Sequence, residues 1–179
     1  MCGVPMMILR LGLGLFLGFS FLSAATAAEP AFLSKHGNWT AHVKADSGRK
    51  TCFAWTAPTR SKGNYQTRGD VLAFVTVYKP APQGEDYYDG GQISIVAGYR
   101  YKADGTVVAT IAKKKYELFS DDDTAWANGA DGDKALIAAM KAGSTMVVNG
   151  SSWRPTKTTD TYSLKGFTAA YNAIRAACK

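Results

Sequence analysis

Five aspartates crowd one short stretch of this 179-residue chain: Asp121-Asp122-Asp123, then Asp131 and Asp133. Clustered carboxylates are what a calcium loop needs. An EF-type loop also requires acids at alternate positions, a glycine at position 6 and a bidentate acid at position 12. Counted from Asp121, position 6 is Trp126 and position 12 is Gly132, so the spacing fails and no metal site is assigned. Solvated turns and helix capping are the expected roles. A nucleophilic cysteine would need a basic partner, and the only histidines are His36 and His42, both near the start. G-x-S-x-G, H-E-x-x-H, C-x-x-C and phosphate-cradling glycine loops are missing. A carboxylate pair for glycoside hydrolysis is the remaining enzymatic reading, and no particular pair is singled out. No catalytic residue and no cofactor are assigned.

Two recognition signals are weak in themselves. Arg68-Gly69-Asp70 is an integrin-type tripeptide, but Val71 opens a strand at once and the tripeptide is common by chance. Asn38-Trp39-Thr40 and Asn149-Gly150-Ser151 are glycosylation sequons in form. Aromatic residues are numerous, with Trp39, Trp55, Trp126, Trp153 and the cluster Tyr99-Arg100-Tyr101. Rings on strands pack into the core or lie across the sheet. Tyr87 and Tyr88 differ, because they fall in an acidic stretch broken by Pro80, Pro82, Gly84, Gly90 and Gly91. That loop is the expected contact surface.

The chain opens with one base, Arg10, an apolar run from Leu11 to Leu22, and the small residues Ser23-Ala24-Ala25-Thr26-Ala27-Ala28. This order predicts a secretory signal peptide over residues 1–28, leaving a single domain over 29–179 with no spanning segment. Its removal takes Arg10 and changes the formal net charge from +7 to +6. The bases are dispersed, so a nucleic-acid surface is not expected. Cys2 leaves with the leader, and Cys52 and Cys178 remain. Two thiols in an oxidising compartment read as one disulfide.

Periodicity predicts strands over most of the remainder. Asn38–Ala45 and Lys50–Ala57 flank an Asp46-Ser47-Gly48 turn as a hairpin, and Arg60–Gly69 reads as a loop. Val71–Lys79 is a central strand, and Ile93, Ile95 and Ala97 share one side of the next. Tyr101–Ala112 reads as a hairpin turning at Ala103-Asp104-Gly105, followed by strands at 116–119, 124–127, 145–149 and 159–164. One helix is expected to start at an Asp133 cap and stop at Gly143. A second, with Ser163 as its cap, carries Phe167, Ala170, Tyr171, Ile174, Ala177 and Cys178 on one stripe.

Ordered fragments along this chain resemble the invasion-associated locus B family of bacterial exported proteins. They run from Gly37-Asn38-Trp39-Thr40 through Cys52-Phe53-Ala54, Leu118-Phe119, Asp123-Thr124-Ala125-Trp126 and Ala138-Ala139-Met140-Lys141-Ala142-Gly143. The most specific is Asp160-Thr161-Tyr162-Ser163-Leu164-Lys165-Gly166-Phe167, and the set ends in Ala177-Cys178. Members of the family often carry further cysteines where this chain has Ser120-Asp121-Asp122-Asp123. The resemblance implies a mainly β, immunoglobulin-like β-sandwich with two short helices, the second C-terminal. It further implies periplasmic or surface residence and no enzymatic activity. The function expected is therefore binding of a protein or envelope component.

Overall fold

The structure is a computed structural model that describes residues 29–46, 48–82 and 87–179. The leader expected over residues 1–28 and the middle of the tyrosine loop lie outside the described residues. The chain is mainly β, with eleven strands and two helices among the described residues. The strands are β1 (Ala31–His36), β2 (Trp39–Asp46), β3 (Arg49–Thr56), β4 (Arg60–Gly63), β5 (Leu72–Lys79), β6 (Gln92–Val96), β7 (Val107–Ile111), β8 (Lys114–Asp121), β9 (Thr124–Ala127), β10 (Thr145–Ser151) and β11 (Lys157–Ser163). The helices are α1 (Gly129–Ala142) and α2 (Phe167–Ala177).

All pairings are antiparallel, in the order β1-β2-β3-β5-β6-β9-β8-β7-β10-β11-β4. Alternation fixes which side is inside, because successive side chains on a strand point to opposite faces. Cys52 and Ala54, Ala73, Val75 and Val77, Ile93 and Ile95, Val107, Ala109 and Ile111 are all buried on one face. The sheet curls until distant strands meet. Trp39 of β2 is fully buried, and its indole N–H donates to the Ser163 carbonyl at the end of β11, at 3.0 Å. The two halves therefore face each other in a sandwich-like arrangement around one core.

The amphipathic helix α2 fills that core. Phe167, Ala170, Tyr171 and Ile174 are buried, and Phe167 meets Trp39 edge-on with ring centroids 4.9 Å apart. Cys178, just past the helix, is disulfide-bonded to Cys52 of β3, with Cα atoms 6.0 Å apart. The Lys50 ammonium donates to the Ala177 carbonyl at 3.1 Å, a cation at the negative end of the helix. Buried Leu136, Ile137 and Met140 of α1 complete the core beside β6 and β9.

Several local expectations are corrected. Residues 60–69 are not all loop, since β4 pairs with β11 and forms one sheet edge. Its exposed Arg60 and Lys62 carry charge along that edge, which discourages pairing with another chain. The opposite edge, β1, is interrupted by an irregularity between Phe32 and Ser34. The hairpin expected within 101–112 is absent: Tyr101 forms only an isolated bridge to Ser152. A turn does form at Ala103-Asp104-Gly105, where the Gly105 amide donates to the Lys102 carbonyl at 3.0 Å, but the hairpin turn lies between β7 and β8, where Ala112 and Lys113 have φ of 47° and 70°. Two successive positive φ values suit a primed hairpin turn normally built from Asn and Gly, so Ala-Lys gives no sequence signal. Asp133 does not cap α1, which begins earlier after Asn128. Ser163 belongs to β11, and the residue before α2 is Gly166.

Candidate functional site

The calcium-like acids divide between a hairpin and a helix: Asp121, Asp122 and Asp123 sit at the β8–β9 turn, and Asp131 and Asp133 lie in α1. Asp122 and Asp123 form the β8–β9 turn; Asp122 accepts from the Arg100 guanidinium at 2.7 Å and Asp123 from the Thr124 hydroxyl at 2.7 Å. Among the described residues no three His, Cys, Asp or Glu side chains are grouped to hold a metal ion. Cys52 and Cys178 are consumed by their disulfide. His42 lies on the face of the sheet opposite Cys52, because its neighbour Val43 is the register partner of Cys52.

Two carboxylates are buried, and each is already engaged. Asp133 accepts from the Ile93 amide at 2.7 Å, and burial raises its pKa to about 6 while that hydrogen bond partly offsets the rise. Asp160 forms a two-pronged pair with Arg68, both contacts at 2.9 Å, with side chains only 5% and 6% exposed. The rings of Tyr65 and Tyr99 lie over the Arg68 guanidinium at 5.1 and 5.0 Å. Burial works against the Arg68 charge, but hydrogen bonds to Asp160 and Tyr65 outweigh it and leave the pKa above its ordinary value. Arg68 is therefore a structural clamp, and the tripeptide cannot present it to a receptor. Burial also raises the pKa of the neighbouring Tyr99, Tyr101 and Tyr162 phenols.

The feature that no local motif announced is the outer face of the sheet. Cross-strand partners place Trp55 beside Phe74, Phe74 beside Ser94, Ser94 beside Trp126 and Trp126 beside Phe119. One row of aromatic rings thus crosses β3, β5, β9 and β8, interrupted only by small Ser94 on β6. Phe74 and Trp126 stand about 10 Å apart, two strand spacings, which leaves a trough over Ser94. A second row joins Phe32, His42 and Phe53, with His42 stacked on Phe53 at 5.4 Å. Phe53 bridges the rows through Phe74 at 6.2 Å. Phe32 is 64% exposed and Phe119 is 50% exposed. Beyond the trough a shallow depression of about 490 Å³ is bordered by Leu72, Phe74 and Val96, by Asp70 and Asp123, and by Arg100 paired with Asp122.

The two loop tyrosines point different ways. Tyr87 lies against Tyr78, the last outward-facing ring of β5, with centroids 6.0 Å apart, and its hydroxyl accepts from the Tyr78 amide at 3.2 Å. Tyr88 packs against the core. The loop's exit is tied to α2, where the Tyr171 hydroxyl donates to the Gly90 carbonyl at 2.8 Å and Arg175 donates to the Asp89 carbonyl.

A curled antiparallel sheet closed by a disulfide-tethered helix, with rings on its outer face, describes a small β scaffold that displays a surface. Residues 39–175 match the family described as Invasion associated locus B (IalB) protein. The chain belongs to that family. Membership and the disulfide both fit an exported protein. No curated protein and no solved structure matches the chain. No helix among the described residues is long and apolar enough to cross a membrane.

Proposed function

We propose that the protein is a non-enzymatic binding module of the cell envelope, exported to the periplasm after loss of its leader, and that it binds a protein partner. The aromatic outer face carries this reading. The rings pair across neighbouring strands on the side of the sheet away from the core, and Phe32 and Phe119 at the ends of the rows are left exposed. Apolar surface of this kind, half-buried along its middle and exposed at Phe32 and Phe119, can mark an interaction site. Tyr87, set against Tyr78, extends the same face and joins the contact surface. The border of this face carries Asp70 and Asp123, with Asp122 already paired to Arg100, and this favours an extended partner segment with apolar side chains and a basic residue at one end. A hydrolase using a carboxylate pair would need two carboxylates facing one cleft. Asp133 and Asp160 are instead held by Ile93 and Arg68.

The test is cross-linking in intact envelopes, comparing the parent with the double variant Phe32→Lys with Phe119→Lys. Both rings are exposed, so the variant should fold with an unchanged melting temperature. Loss of the discrete protein adduct is expected. An adduct at the parental level would reject the face as the contact surface.

A further inference from the structure

A second site lies away from the aromatic face, at the end of the sheet where the β10–β11 connection meets the segment before β5. A pocket of about 320 Å³ is lined by Tyr65, Tyr99 and Trp153, by Asn64, Gln66 and Thr67, and by Arg154 among others, with no carboxylate in its lining. That size is at the small end of ligand pockets. Its floor is rigidly built. Arg68 is clamped by Asp160 and also donates through Nε to the Ala97 carbonyl at 2.9 Å, and the Tyr65 and Tyr99 rings lie over its guanidinium. The Tyr99 hydroxyl is hydrogen-bonded to Thr158 at 2.6 Å. Gly63 lets Tyr65 sit close to β11, since a Cβ there would stand 2.7 Å from the Tyr65 ring.

At the mouth, Trp153 is 57% exposed, and the Arg154 guanidinium lies 4.6 Å from its ring centroid. A large exposed indole on a short connection contributes nothing to the core. The chemistry on offer is an aromatic face, amides and hydroxyls that both donate and accept, and a cation. Arg154 has no ion-pair partner among the described residues, so its charge is free to meet a ligand. A sugar ring presents just the complementary groups: axial C–H bonds for an aromatic face and hydroxyls for amides. An acidic substituent would meet Arg154, the free cation in the lining.

We infer that this pocket is a binding site for an acidic saccharide, stacked on the face of Trp153 that Arg154 does not cover, with its anionic group at Arg154. The inference does not depend on the protein-binding face, and each can fail without the other.

The experiment is calorimetric titration of the protein with acidic oligosaccharides (a uronate hexamer, a sulfated oligomer and a phosphorylated oligomer), a neutral oligomer of the same length, and inorganic phosphate. At least one acidic oligosaccharide should bind saturably and more tightly than the neutral one. Trp153→Ala should weaken it tenfold or more, and Arg154→Gln should weaken it and flatten its salt dependence. Both side chains are exposed, so melting temperatures should hold. Phe119→Lys, on the other face, should bind as the parent does. Absence of saturable binding by every acidic oligosaccharide overturns the proposal. So does binding indifferent to Trp153→Ala, or phosphate binding as tightly as the sugars.

Discussion

A side-chain carbon on Gly166 would stand 1.9 Å from the carbonyl oxygen of His36, and Gly166 itself holds φ of +93°. The start of α2 is thereby pressed against the β1–β2 turn, and the Asn38 amide donates to the Lys165 carbonyl at 3.2 Å across the same contact. Gly166→Ala meets both a backbone clash and a disfavoured φ. It should cost about 3 kcal/mol or more, combining left-handed strain with displacement of the turn. Urea denaturation measures this; a loss below about 1 kcal/mol would show that the contact opens easily.

Removal of the Cys52–Cys178 link should act on α2 first. The bond closes a separation of 126 residues, worth at most about 4–5 kcal/mol in the chain-entropy view. With Cys52→Ser and Cys178→Ser combined, hydrogen exchange should accelerate in 167–178 while β5 and β6 stay protected. Uniform acceleration across sheet and helix would mean the helix is no separate unit.

The Arg68–Asp160 pair should behave as a buried one. Asp160→Asn leaves an uncompensated guanidinium inside and should cost about 3–5 kcal/mol. Arg68→Met with Asp160→Leu should lose less than the two single changes together. A double-mutant cycle with a coupling near zero would contradict this.

Asp133 gives the protein a pH dependence of definite sign. Its folded pKa of about 6 lies above the ordinary carboxylate value of 3.8, so the native state binds more protons between those pH values. Stability from this group therefore falls as pH rises from about 4 to 6, then stays low above it. Asp133→Asn keeps an acceptor for the Ile93 amide and should raise stability at pH 7, by up to roughly 3 kcal/mol. It should also flatten that window. Denaturation at pH 4.5 and 7 decides it, and a variant less stable than the parent at pH 7 would refute the sign.

Legibility in the sequence followed how local each determinant is. The β2–β3 hairpin has its turn residues and alternation side by side, and the α2 stripe repeats within one helix. The β7–β8 turn escaped because Ala112-Lys113 adopts positive φ under tertiary constraint. Strand β4 has no apolar alternation and exists because β11 offers it an edge. Of the clamp residues, Arg68 stood out only as part of a tripeptide, since Asp160 lies 92 positions away and their pairing has no local trace. The abundance of rings was visible. Their division between core and outer face was not, because it depends on the registers joining β3, β5, β6, β9 and β8.

The central claim is that the outer aromatic face, and not the polar half of the same sheet, meets a protein partner. Its most direct measurement places a photo-cross-linking residue at Phe119, and in a second protein at Thr159 of β11, whose hydroxyl donates to Asn149 on the outer surface of the polar half. After illumination of intact cells, position 119 should yield a discrete protein adduct and position 159 none. Equal adducts at both positions, or an adduct at 159 alone, would contradict the account.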